Sequence, residues 1–180
     1  MSRAKTVATL SMCTAILIGG QLVLSGIVGV EIVTALLLCF SFCFGWRMGM
    51  AIATAFSLLR CIFFGFFLNV IILYLIYYNL FAFFFGWLQK HISKFSYPVK
   101  TAIVAPIAMV FTALFTLLDD LLNIIMYSMN RKAAMTYVAT SIPAMISQII
   151  CTLVTVSALF VPLTTIITKI NSENKIRRSV

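Results

Sequence analysis

Long apolar runs alternate with short polar breaks along the whole chain. Apolar residues dominate six runs, at positions 7–24, 31–44, 48–64, 70–88, 101–118 and 141–169. A helix needs about 20 mostly apolar residues to cross the hydrocarbon core of a bilayer, and the run 31–44 is short for such a span. The pattern therefore predicts about six transmembrane segments joined by short connections.

We expect every segment to be helical, because hydrocarbon offers no partner to a free backbone N–H or C=O and the runs are too long for barrel strands. The expected fold is an all-α integral membrane protein, with about six transmembrane helices in one bundle. Residues 1–180 form a single transmembrane domain that ends in a polar tail at 171–180. Residues 121–129 are either an extension of the fifth helix or a partly buried loop. The first run lacks a clear small-x-small cleavage site, which favours a retained helix over a signal peptide.

The composition argues against the soluble classes. Hydrophobic residues make up 63% of the chain and charged residues 9%, and the mean hydropathy is +1.13. An ordinary soluble domain is about half apolar and a quarter charged. The net charge is +9, from 13 Lys and Arg residues against 4 Asp and Glu residues. These cations stand in short clusters between apolar runs and not on one solvated face, which is typical of topology signals and argues against a nucleic-acid partner.

The distribution of the cations predicts the orientation in the membrane. An even number of spans places both termini on one side, and cytoplasmic connections are enriched in Lys and Arg. Arg60, Arg131 and Lys132 lie outside if both termini are cytoplasmic. The other ten of the 13 cations are then cytoplasmic, namely Arg3, Lys5, Arg47, Lys90, Lys94, Lys100, Lys169, Lys175, Arg177 and Arg178. We therefore expect both termini in the cytoplasm.

In this orientation most acidic groups also collect on the outer side. Glu31, Asp119 and Asp120 fall at outer helix ends, close to the level of Arg60. Arg60 lies inside an apolar run, where a central charge costs about 3 kcal/mol. Two interpretations stay open for it. Arg60 contacts a ligand anion or one of these carboxylates, or it snorkels to the outer headgroups.

No set of residues predicts catalysis or a bound metal. The motif Asp119-Asp120-Leu-Leu-Asn123 is similar to an aspartate-rich motif of membrane prenyltransferases, but those enzymes need a second such motif, which the chain lacks. His91 lies on the opposite side from both aspartates in the predicted topology, and no Gly-rich phosphate loop occurs. The five cysteines lie in apolar runs without His or carboxylate neighbours, as packing residues do. We expect no enzyme activity, no metal and no cofactor.

A stripe of small residues follows one face of the first helix. Ala4, Ala8, Ser11 and Ala15 recur at helical spacing, and Gly19 continues them. Small side chains let another helix approach closely in lipid. The stripe is therefore either a docking face for a partner protein or an internal packing face.

Aromatic residues concentrate between positions 63 and 87. Tyr74, Tyr77 and Tyr78 form a stacking wall for a flat ligand ring in one interpretation. In the other, the aromatic residues of this segment are lipid-facing bulk and an interfacial belt.

Several short motifs carry a family resemblance. Beside the small-residue stripe, they are Gly20-Gln-Leu-Val-Leu-Ser, Val30-Glu-Ile-Val-Thr, Phe44-Gly45, Ile142-Pro143 and Val161-Pro-Leu-Thr-Thr-Ile. Together with the length and the number of predicted spans, they resemble the substrate-binding S components of energy-coupling factor (ECF) vitamin transporters, in a poorly characterised bacterial branch. The resemblance covers most of the chain. It departs at Arg60, where related sequences often carry an acidic residue, and in the Ala-x-x-x-Ala pattern, which occurs only at Ala4 and Ala8.

The resemblance implies a subunit of the bacterial cytoplasmic membrane that captures a vitamin or related micronutrient from outside. Delivery would require an ECF T subunit and two cytoplasmic ATPases. The implied ligand-site candidates are Glu31, Arg60, Tyr74, Asp119, Asp120 and Asn123, and the implied docking residues are Ala4, Ala8, Ser11 and Ala15. The alternative is a small scaffold membrane protein of cell-wall elongation that resembles the rod-shape protein MreD and needs no outer ligand pocket.

Overall fold

The computed structural model describes residues 3–27 and 32–176, with side chains as far as residue 170, and over these ranges the chain is all-helical. Six helices occur in these ranges: α1 (Arg3–Leu24), α2 (Val33–Phe44), α3 (Trp46–Phe64), α4 (Leu68–Ile92), α5 (Tyr97–Met126) and α6 (Arg131–Ile176). All except α2 are long and apolar enough to cross a membrane. The prediction of an all-helical fold is confirmed for the described residues, and its five long apolar helices suit a multi-pass membrane protein.

The short helix α2 occupies the centre of the bundle. Its 12 residues span about 18 Å, less than the hydrocarbon thickness of about 30 Å. Residues 33–42 are all buried, and α2 packs against α1, α3, α4 and α6. These four helices therefore surround α2, which explains why its sequence is apolar on every side.

Helices α4, α5 and α6 are longer than the apolar runs predict. The segment 89–100 between the runs 70–88 and 101–118 predicts a polar loop, but only residues 93–96 lie outside the helices, because α4 continues to Ile92 and α5 begins at Tyr97. Asp119 and Asp120 are not at a helix end, since α5 passes through them to Met126. Helix α6 is 46 residues long and continues to Ile176, through much of the predicted polar tail. Polar side chains near a membrane surface reach water while the helical backbone bonds continue, so they mark helix ends poorly.

Successive helices run in opposite directions and define two ends of the bundle. The polar end contains the C-terminal ends of α1, α3 and α5. Side-chain hydrogen bonds at this end connect α1 and α5 to α4, and α5 to α6. The basic end is opposite and carries the cations Arg3, Lys5, Arg47, Lys90, Lys94, Lys100 and Lys169. This segregation of cations agrees with the distribution predicted from the sequence.

An aromatic core lies between α3, α4 and α5. The ring of Tyr78 contacts those of Phe56 and Tyr74, with centroids 5.5 and 4.9 Å apart, and Phe115 packs 5.6 Å from Tyr74. The hydroxyl of Tyr77 donates a 2.8 Å hydrogen bond to a backbone carbonyl of α5. Tyr77 and Tyr78 are thus core residues, and neither the stacking-wall nor the lipid-facing interpretation describes them.

Helix α4 approaches the turn between α2 and α3 with almost no space between the two backbones. Gly45 forms this turn with a φ of +83°, a conformation that glycine adopts without strain. A Cβ atom at Gly86 of α4 would overlap the backbone nitrogen of Trp46. The close approach therefore requires glycine at position 86.

We expect Gly86→Ala to destabilise the bundle by about 1–3 kcal/mol, because the added methyl group meets backbone atoms and pushes α4 away from the turn. The matched control is Gly19→Ala, since a Cβ at Gly19 has no neighbour within 4 Å. Thermal unfolding in detergent should give a lower midpoint for Gly86→Ala and an unchanged or higher one for Gly19→Ala, because alanine favours the helix where space allows it. Equal midpoints would contradict the close approach.

Candidate functional site

A cluster of polar side chains from four helices lies at the polar end of the bundle. We call it the polar cluster, and it consists of Gln21 (α1), Arg60 (α3), Asn69 and Tyr74 (α4), and Asp119 and Asn123 (α5). Polar groups inside membrane segments are costly and usually serve a function or pair with one another. The polar cluster is therefore the candidate binding site.

Arg60 is held against the aromatic core one turn before α3 ends. Its guanidinium carbon Cζ lies 4.1 Å from the ring centroid of Tyr74 and 5.0 Å from that of Phe64. Cation–π contacts of this kind contribute about 0.5–2 kcal/mol each. The Nε atom of Arg60 is buried and has no hydrogen-bond partner among the described residues. The rings fix the guanidinium in place and leave one buried donor without an acceptor.

Gln21 reaches the same tyrosine from α1. Its amide nitrogen Nε2 donates a 3.4 Å hydrogen bond to the hydroxyl oxygen of Tyr74. Its carbonyl oxygen Oε1 is buried and, within the described part of the chain, has no donor. Tyr74 thus holds two side chains that each present an unsatisfied polar atom, one an acceptor and the other a donor.

Asn123 links α5 to α4 and positions Asp119. Its Nδ2 donates to Oδ1 of Asp119 at 3.2 Å, and its Oδ1 accepts a 2.6 Å hydrogen bond from Asn69. Asp119 is half-buried and interacts electrostatically with Arg60. The predicted contact of Arg60 with a carboxylate of the fifth helix stays a prediction, since its interaction with Asp119 is electrostatic only.

Asp120 belongs to a different set of contacts. Three hydrogen-bonded pairs join α5 to α6, namely Thr112 with Thr152 (3.0 Å), Thr116 with Gln148 (3.0 Å) and Asp120 with Ser141. Such interhelical bonds contribute about 0.6 kcal/mol each in a membrane. Asp120 is buried and accepts from Ser141, so in this structure its carboxylate holds the α5–α6 hairpin together.

The polar cluster therefore joins four of the six predicted ligand-site residues: Arg60, Tyr74, Asp119 and Asn123. Glu31 lies outside the described residues. Sequence reasoning missed Gln21 and Asn69. A signal was present for Gln21, since it is a lone amide in the apolar second half of α1. Asn69 gave no such signal, because it ends the segment 65–69 that separates two apolar runs.

The small-residue stripe of α1 lies on the outer surface of the bundle. Ala4, Ala8, Ser11 and Ala15 are all exposed, whereas the buried face of α1 consists of Cys13, Thr14, Leu17 and Ile18. The stripe therefore does not pack inside this chain, which removes the internal-packing interpretation.

An apolar groove of about 280 Å³ runs beside the stripe. Met12 and Ile16 of α1 line it on one side, Leu163 and Ile167 of α6 on the other, and Phe40 of α2 is among the residues between them. The exposed stripe and the groove form one apolar surface toward the basic end, away from the polar cluster.

The cysteines are packing residues in the described structure. Cys13, Cys39 and Cys61 are buried, and all five cysteines are free. Among the described residues, no group of three or more His, Cys, Asp or Glu side chains is placed to hold a metal ion.

Neither a protein-family model nor a curated protein nor a solved structure matches this chain. The arrangement of the polar cluster and the exposed face of α1 is therefore the basis for the functional proposal.

Proposed function

We propose that this protein is the substrate-specific membrane subunit of an ECF-type importer in a bacterial cytoplasmic membrane. It captures a vitamin or related micronutrient from outside at the polar cluster. A T subunit and two cytoplasmic ATPases then complete the transport cycle, and ATP hydrolysis takes place on the ATPases. In this assignment both termini are cytoplasmic and the polar end faces outward.

The observation that carries the proposal is the pair of unsatisfied buried atoms beside Tyr74. A buried donor or acceptor without a partner costs about 1–3 kcal/mol, and Arg60 Nε and Gln21 Oε1 each have this cost in the free protein. A bound molecule that offers an acceptor and a donor would remove both costs. This is what a binding site held ready for a polar ligand requires.

The exposed stripe on α1 supports the second half of the proposal, the docking of a partner. Ala8 lies about 20 Å along the helix axis from Gln21, since each residue adds about 1.5 Å. Capture and docking thus use separate parts of the same helix. A subunit that binds its ligand alone and then joins an energising module needs such a separation.

The test is purification of the tagged protein from its native host in mild detergent, followed by mass spectrometry of the proteins and of the small molecules released by heat. We expect a T subunit, a pair of ATPases and an enriched metabolite. Recovery of cell-wall elongation proteins without a metabolite would contradict the proposal and favour the scaffold alternative, since a scaffold protein needs no ligand.

A further inference from the structure

We infer that the molecule bound at the polar cluster is a small carboxylate that also carries an N–H donor. This inference rests on the proposed function and specifies its ligand. It follows from the two unsatisfied atoms and from the way in which Arg60 is held.

The stacking of Arg60 determines the plane in which its guanidinium can form hydrogen bonds with a ligand. The rings of Tyr74 and Phe64 lie against the guanidinium at 4.1 and 5.0 Å from Cζ. Hydrogen bonds to a guanidinium form in its plane, because all five of its N–H groups lie there. The unpartnered Nε is one of these in-plane donors. A planar carboxylate accepts two parallel bonds from such an edge, which matches it better than a neutral carbonyl does.

The second half of the inference comes from Gln21 and Asp119. The unpartnered Oε1 of Gln21 requires a donor. The half-buried Asp119, which accepts a hydrogen bond from Asn123, lies at the same end of the bundle, so a ligand with an anionic group alone would bring a second carboxylate to this end. A ligand that combines the carboxylate with an N–H group satisfies Gln21 and tolerates Asp119.

The test uses the small-molecule extract that heat releases from the purified wild-type protein. The extract is added back to washed protein in detergent, either untreated or after methylation of its carboxylate and phosphate groups with diazomethane. We expect the untreated extract to raise the thermal unfolding midpoint, and the methylated extract to need at least a tenfold higher concentration for the same shift.

The test variant is Gln21→Leu. The matched control is Arg47→Met, because Arg47 lies on the same helix as Arg60 but at the basic end. Gln21→Leu should keep the midpoint of the washed protein, because loss of the long 3.4 Å hydrogen bond to Tyr74 is offset by removal of an unsatisfied oxygen. The variant should need at least tenfold more extract. Arg47 is exposed and lies over the ring of Trp46. Arg47→Met should therefore show the same shift of the midpoint with extract as the wild type.

Three other results would overturn either the inference or the proposed function. If the methylated extract acts as well as the untreated one, the ligand has no essential oxyanion, and the inference fails while the proposed function stands. If the active component partitions into chloroform with phospholipid, Arg60 binds a lipid headgroup and the inference fails. If no extract shifts the midpoint and no metabolite is enriched on the protein, the proposed function itself fails.

Discussion

Replacing Arg60 with methionine is expected to weaken ligand binding at least tenfold. A hydrogen bond to a charged group contributes about 1.5–3 kcal/mol, and about 1.4 kcal/mol corresponds to a factor of ten in the dissociation constant. Methionine is similar in length and apolar, so it should fill the space beside Tyr74 and Phe64. Loss of the two cation–π contacts and removal of a half-buried charge with an unsatisfied Nε should largely offset each other in the ligand-free protein. The measurement is the amount of enriched metabolite that stays bound through purification.

Arg60→Lys separates the charge of the side chain from its geometry. Lysine keeps the positive charge but lacks the planar edge with Nε, so most of the loss should persist if the carboxylate binds that edge. Full retention in Arg60→Lys with loss in Arg60→Met would mean that charge alone is sufficient. If both variants retain as much metabolite as the wild type, Arg60 does not bind the ligand. Its side chain then only reaches the lipid headgroups, as the snorkelling interpretation holds.

The periodic apolar runs were sufficient to predict the helices but not where they end. Composition and run length gave the class and the order of the helices, because lipid leaves helices as the only suitable structure for such runs. The run 101–118 ends before the last turns of α5, because the two aspartates interrupt the apolar run but not the helix. Inside the helix those carboxylates find partners, Asn123 for Asp119 and Ser141 for Asp120. Partners on other turns and helices are not visible in a hydropathy pattern.

The site was predictable in its location but not in its contacts. Alternating helix directions place Arg60 and Asp119 at one end whatever their side chains do, so the sequence could group them. Which side of a helix faces its neighbours depends on packing, and packing turned Asp120 toward α6 and Gln21 toward Tyr74. A single amide in an apolar run gives no indication of which of its atoms will lack a partner.

Replacing Ala8 with leucine is expected to prevent assembly with the T subunit while ligand binding survives. Ala8 is exposed on the small-residue stripe, where a partner helix must approach closely, and a larger side chain would hold that helix away. Recovery of the T subunit and the ATPases in pull-downs should fall at least tenfold. The metabolite retained by the isolated protein should not change, because the polar cluster lies about 20 Å farther along α1.

The matched control for Ala8→Leu is Ala102→Leu, which adds the same bulk at an exposed alanine near the basic end of α5. If contact with the T subunit uses the stripe, the control should assemble normally and only Ala8→Leu should fail. Equal loss in both variants would point to a general effect of bulk in the bilayer, and equal recovery would remove the stripe from the interface. The exposed stripe and the buried Gln21 oxygen lie on separate parts of α1. Loss of the metabolite in Ala8→Leu would therefore contradict the proposal that ligand capture and docking use different parts of this helix.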